Sequence, residues 1–246
     1  MQFSMKTNLV AAWSGLALMG ITSHAAELAG ISEPFHDVTM SAPVYGIIGS
    51  RLVEEGTFVK KGQVLIELDK GLEELDVSRK KLAKEMSQTE LNRLKTLSER
   101  NAISVSREEL DKKQTEFNIA SVDLDLAKEH LRKRLLISPI DGYVTEIFLE
   151  VGEGCEPRQP IVRVVETRRC YFVTNLDAKL GHALSPGQKL RLSVDAGKSP
   201  VEFEGAVSFV SPVIDPASGL MKVKLLFDNP EGKVRPGAVG RLLIGE

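Results

Sequence analysis

A chain of 246 residues with 32 basic and 34 acidic side chains has a formal net charge of −2, which leaves no basic field for nucleic acid. Its 42% apolar content suits one large core or two modest ones. Aromatics, at 5%, are too sparse for platforms that stack bases or sugars.

Lys6 precedes an apolar run from Leu9 to Ile21 that is interrupted only by Ser14, and small residues stand at Ser23 and Ala25. This is the pattern of an export signal cut after Ala25. The run is shorter than the roughly 20 residues that span a bilayer, and no cysteine lies near the cut. The mature chain is expected to be exported and soluble.

The segment 26–41 leads into Pro43-Val44-Tyr45-Gly46 and then a strand of alternating residues, Val64 to Leu68, which runs into Asp69-Lys70-Gly71. From Leu72 to Ser138 there is no Gly or Pro, and 27 of the 64 residues in 71–134 are charged. Such a stretch reads as helix with most of its surface in water. Its soft point is 99–104, where Asn101 can adopt the left-handed conformation that ends a helix. Ser106 with Glu109 fits a capping box, and Ser104 is a rival cap. Two helices, about 71–100 and 105–134, should therefore fold back on one another, each roughly 45 Å long.

In the second helix Leu110, Phe117, Leu124 and Leu131 recur every seven residues, with Ala120 and Ala127 between them. That is a narrow coiled-coil seam. The first helix offers Leu72, Leu75, Leu82, Met86, Leu94 and Leu97 as a facing stripe, and both rows are expected to form the hairpin's own core.

The flanks of the hairpin repeat each other. At an offset of 96, Pro43-Val44-Tyr45-Gly46 falls on Pro139-Ile140-Asp141-Gly142, Gly56 on Gly152 and Gln63 on Gln159. Ile48, Leu52, Leu65 and Leu68 fall on Val144, Phe148, Ile161 and Val164. Two strand-turn-strand units of about 26 residues, each too small to bury a face alone, should pack into one sandwich.

The two units resemble the halves of a lipoyl-type domain, and Asp69-Lys70-Gly71 resembles the turn on which lipoyl and biotinyl carriers present their modified lysine. A carrier modified on Lys70 is thus one reading. However, Lys70 and Pro139 stand 69 apart where a carrier has about ten residues, which puts Lys70 at the root of a rigid arm. Split by a helical hairpin and preceded by an export signal, the halves resemble the periplasmic adaptor (membrane fusion protein) family of efflux and secretion systems. The tail, with Phe209-Val210-Ser211-Pro212 and Arg235-Pro236-Gly237, resembles that family's β-barrel.

The resemblance implies an α+β, mostly β fold: a lipoyl-like β-sandwich (42–70 and 135–167) split by an α-helical coiled-coil hairpin (71–134), then a β-barrel (168–246) that takes a strand from 26–41. It implies a non-catalytic periplasmic subunit without cofactor, peripheral to the inner membrane through a transporter of RND or ABC type. A TolC-like outer-membrane channel and self-association into a ring complete the implied partners. At the hairpin tip the family carries Arg-x3-Leu-x6-Ser, matched here by Arg93, Leu97 and Ser104, as the channel-docking site. The family's further membrane-proximal domain has no evident counterpart, so the barrel is expected to meet the transporter. A periplasmic scaffold without a transporter is a third reading.

Chemistry finds little footing. His24, His36, His130 and His182 are scattered without metal-ligand spacing, and Gly197-Lys198-Ser199 lacks the first glycine of a phosphate loop. Cys155 falls on Val59 in the repeat, a position expected inside the sandwich, and Cys170 falls in the next domain. No disulfide is expected between them.

Overall fold

The computed structural model describes residues 26–100, 105–197 and 199–244, so the expected signal at 1–25 and the tip residue Ser104 lie outside the described residues. The chain runs β1 (Ala26–Ser41), β2 (Gly46–Arg51), β3 (Phe58–Val59), β4 (Val64–Leu68), α1 (Gly71–Arg100) and α2 (Arg107–Arg132). It continues through β5 (Leu135–Ile137), β6 (Gly142–Ile147), β7 (Gly154–Cys155), β8 (Pro160–Asp177) and α3 (Ala178–Ala183). The last strands are β9 (Lys189–Asp195), β10 (Pro200–Val210), β11 (Leu220–Asp228) and β12 (Val239–Ile244).

The repeat is visible in the backbone. β2 and β6 begin and end 96 residues apart, as do β3 and β7. Gly56 and Gly152 both sit at positive φ (83° and 94°), a turn conformation that glycine adopts without strain. The amide of Gly56 donates to Val144 O (2.8 Å) and that of Gly152 to Ile48 O (2.9 Å). Each unit thus braces the other through the same bond, across a pseudo-two-fold axis. Ile48, Val59, Leu65, Val144, Cys155 and Ile161 fill the shared core.

The second core is a closed barrel. The strand order β1-β12-β9-β10-β11-β8 is closed by pairing of β1 with β8, which removes the open edges that invite association. Phe172 is fully buried inside. Its ring lies against Gly30 and Gly240, cross-strand partners at which an added Cβ would come within 3 Å of it. β1 does more than lend the barrel a strand. It pairs with β12 over 26–31 and with β8 over 30–41, so its far end, with Met40, packs into the sandwich core. The β1–β8 register shifts between Pro34 and His36, where proline cannot donate to the ladder.

Asn229 closes the barrel. This buried side chain donates to Thr167 O (2.9 Å) and Val234 O (2.8 Å) and accepts from Val234 N (3.1 Å). The Arg235-Pro236-Gly237 turn then docks on β1: Gly237 N donates to Ser32 O (2.6 Å) and Ser32 N to Ala238 O (2.8 Å). Replacing Asn229 with Leu orphans two carbonyls and an amide, a loss of about 2–3 kcal/mol. The expected outcome is a lower urea midpoint for the barrel, and an unchanged midpoint would show that the loop holds itself.

Both cysteines are free and buried, Cys155 in the sandwich core and Cys170 in the barrel core. Burial raises both thiol pKa values, that of Cys170 to about 11, so little thiolate is present at neutral pH. Neither should react with a thiol reagent at pH 7 in the native state. Both should react once the unreduced protein is unfolded, whereas two silent thiols after unfolding would mean a disulfide.

Candidate docking surfaces of the hairpin

The hairpin is held rigidly at its root. The Lys70 carbonyl accepts the first helical bond of α1 from Glu74 N (2.9 Å), and Asp69 Oδ1 accepts from Gly71 N (3.2 Å). The Lys70 ammonium pairs with Glu67 (3.0 Å) and Glu74 (3.5 Å). Its hydrogen bond to Glu67 raises its pKa above the ordinary lysine value. Across the root, Arg134 reaches Glu73 (2.6 Å) and Tyr45 O (2.8 Å), while Leu68 N donates to Arg134 O (2.8 Å). Lys70 starts a clamped helix and offers no free turn to a modifying enzyme. The carrier reading loses its footing.

On α2 the seam residues Leu124 and Ala127 are buried, and Leu110, Phe117 and Leu131 are half-buried. Ser106 caps the helix, accepting from Glu109 N (3.1 Å). The facing row on α1 differs from the expected stripe. Leu72, Leu75, Leu82 and Met86 are strongly exposed. Instead the residues turned inward are Val77, Lys80, Lys84, Ser87, Leu91 and Leu94, of which Leu91 is fully buried. The row is in phase with the root, where Glu73 pairs with Arg134 just past the end of α2, and the spacing of three and four residues from there leads through 77, 80, 84, 87, 91 and 94.

The two lysines in that row each find a partner across the hairpin. Lys80 pairs with Asp123, and Lys84 lies over the Phe117 ring at 5.8 Å. Further out, Lys113 bridges Glu90 and Glu116 at 2.8 Å each.

Near the tip, Arg93 and Leu97 both face solvent one turn apart on α1, Leu97 being 41% exposed. The structure therefore brings two of the three candidate docking residues onto one exposed flank. Arg134 and Asn229, which set the arm and close the barrel, were not singled out in the sequence because their role depends on carbonyls far away in the chain.

Comparisons with known proteins bear on what such an arm belongs to. A family model described as "RND MFP, barrel-sandwich hybrid domain" matches residues 36–167, and one described as "CusB-like, beta-barrel domain" matches residues 177–246. The chain is 25% identical over 232 residues to the multidrug resistance protein MexA of Pseudomonas aeruginosa, covering 86% of this chain and 58% of that one. It is 24% identical over 242 residues to the solvent efflux pump periplasmic linker SrpA of Pseudomonas putida, covering 89% and 61%. The chain thus spans less than two thirds of the length of these curated relatives. Its fold superposes with a TM-score of 0.75 on a MacA-MexA chimeric protein carrying the P. aeruginosa MexA α-hairpin domain, at 21% identity and over 89% of this chain and 79% of that one. With more than half of its residues matched by the barrel-sandwich hybrid model, the chain belongs to the RND membrane fusion protein family.

Proposed function

We propose that the protein is a non-catalytic periplasmic adaptor that links an inner-membrane transporter to an outer-membrane channel in an efflux system. One observation carries this reading. The turn that would display a carrier lysine is instead the clamped root of a hairpin roughly 45 Å long, so the lipoyl-type fold serves reach. Its relatives are named multidrug resistance proteins and pump linkers, and the RND description of the matched model favours an RND transporter over an ABC one. The barrel faces the transporter, the hairpin reaches the channel, and several copies form a conduit. Export by the segment 1–25 places the chain in the periplasm, peripheral to the inner membrane through its transporter.

Arg93, Leu97 and Ser104 are the channel-docking residues in this reading. Crosslinked capture of the tagged chain from membranes should recover a transporter and an outer-membrane channel; recovery of neither would favour the scaffold reading. Leu97→Asp should lose the channel and retain the transporter. Because Leu97 is exposed, the variant should unfold within about 0.5 kcal/mol of the parent. A large stability loss would show Leu97 to be seam core, and the docking assignment would fail.

A further inference from the structure

The end of the barrel farthest from the sandwich carries an apolar rim. The β1–β8 ladder sets Ser41 and Pro160 at the sandwich end and Gly30 and Thr174 deep in the barrel. Ala26, the end of β8 at Asp177 and the start of β11 at Leu220 therefore all lie at the far rim. There α3 follows β8, and the loop 211–219 joins β10 to β11. Gly181 of α3 lies against Met221, whose sulfur would stand 3.0 Å from an added Cβ, and Asp215 N donates to Leu220 O (2.9 Å). The helix and the loop thus flank the first two residues of β11 and share one rim. On it Val213 is 68% exposed, Ile214 41% and Leu180 38%.

The acceptors of this rim are engaged by its own backbone. Both peptide groups of Val213 bond to Ser211 Oγ (3.2 and 2.8 Å), and Pro212 has no N–H to satisfy. The Asp215 carboxylate accepts from Ala217 N (2.9 Å), Ser218 N (2.8 Å) and Ser218 Oγ (3.0 Å). The Asp177 carboxylate accepts from Lys179 N (2.9 Å). A segment whose peptide groups are bonded before it leaves water loses little in doing so. The donors are differently placed. Lys179 and Lys222 are exposed, and among the described residues neither ammonium has a carboxylate partner. The rim therefore offers apolar tips flanked by free positive charge.

We propose that this rim rests on a phospholipid surface: Val213, Ile214 and Leu180 enter the headgroup layer while Lys179 and Lys222 meet anionic phosphates. The place of the N-terminus favours lipid over protein. The apolar run 9–21 ends five residues before Ala26, a reach of at most about 18 Å, so an export signal there delivers the chain from the membrane directly to this rim. A cut after Ala25 leaves a terminal ammonium group at the same place. Three apolar side chains are also too few for the core of a protein interface of about 800 Å² per partner, whereas shallow insertion among headgroups needs no more. The contact rests on the adaptor reading for which membrane it meets. The barrel touches lipid at its rim and leaves its wall to the transporter.

Tryptophan fluorescence tests this, because Trp13, the one tryptophan of the sequence, lies in the expected signal. A Val213→Trp variant, purified after export, should shift its emission to the blue with vesicles of phosphatidylethanolamine and phosphatidylglycerol, and brominated lipid should quench it. The same substitution at Tyr45, exposed on the sandwich, should show neither response. In flotation the parent should rise with these vesicles, and Val213→Ser with Ile214→Ser should bind at least about tenfold more weakly at an unchanged melting temperature. Lys179→Gln with Lys222→Gln should make binding less sensitive to salt. A parent chain that does not float, flotation that survives the two serines, or an unquenched tryptophan at 213 overturns the proposal. If the serine variant loses the crosslinked transporter while the parent never binds vesicles, the rim is a protein-docking surface and the lipid contact falls. A parent that floats yet captures neither transporter nor channel leaves the lipid contact standing and sinks the adaptor reading.

Discussion

The constraint on which the architecture depends is the pairing of two unusually long strands. β1 and β8 are 16 and 18 residues long, against a usual strand of about five or six. Their ladder runs from Gly30 opposite Thr174 to Ser41 opposite Pro160, through the barrel wall and into the sandwich. Two cores that could otherwise turn freely on a linker share one backbone ribbon. At the shift between Pro34 and His36, side chains take over where the ladder is broken. His36 meets Glu166 at 2.8 Å, Arg169 pairs with Glu166 at 2.9 Å and stacks on Phe35, and Phe35 stacks on Tyr171. The junction is a bend with its own packing.

The sandwich has the opposite logic. It is assembled from two copies of one short motif, and the hairpin enters where the first copy ends. Because Leu68 N and Arg134 O are bonded at that point, the sandwich closes beneath the insertion much as it would without it. The hairpin therefore adds length without interrupting the core. This explains how one small β fold can either present a lysine or carry an arm.

Much of this was legible in the sequence. The repeat could be read because the same turns demand the same residues: glycine at 56 and 152, and glutamine at 63 and 159, each of whose side chains bonds the amide three residues back (3.1 and 2.9 Å). The α2 seam could be read because its heptads hold leucine and phenylalanine. The phase of α1 could not, since counting leucines overlooks lysines whose stems pack and whose ends find a carboxylate or a ring. Nor could Asn229: its partners are carbonyls at positions 167 and 234, which no local pattern ties to an asparagine.

The lysine-lined seam makes the hairpin respond to its ionic surroundings in two opposed ways. The Lys80–Asp123 and Lys113–Glu90 attractions that hold α1 to α2 act at partly exposed sites and weaken as dissolved ions screen them, over about 8 Å at physiological strength. The exposed Leu72, Leu75, Leu82 and Met86 gain in cohesion when strongly hydrated salts such as sulfate are excluded from apolar surface. Dilute buffer thus favours a tight solitary arm, and concentrated sulfate favours a looser arm that adheres more readily. The ionic composition of the medium becomes a term in how stiff the arm is and how well it adheres.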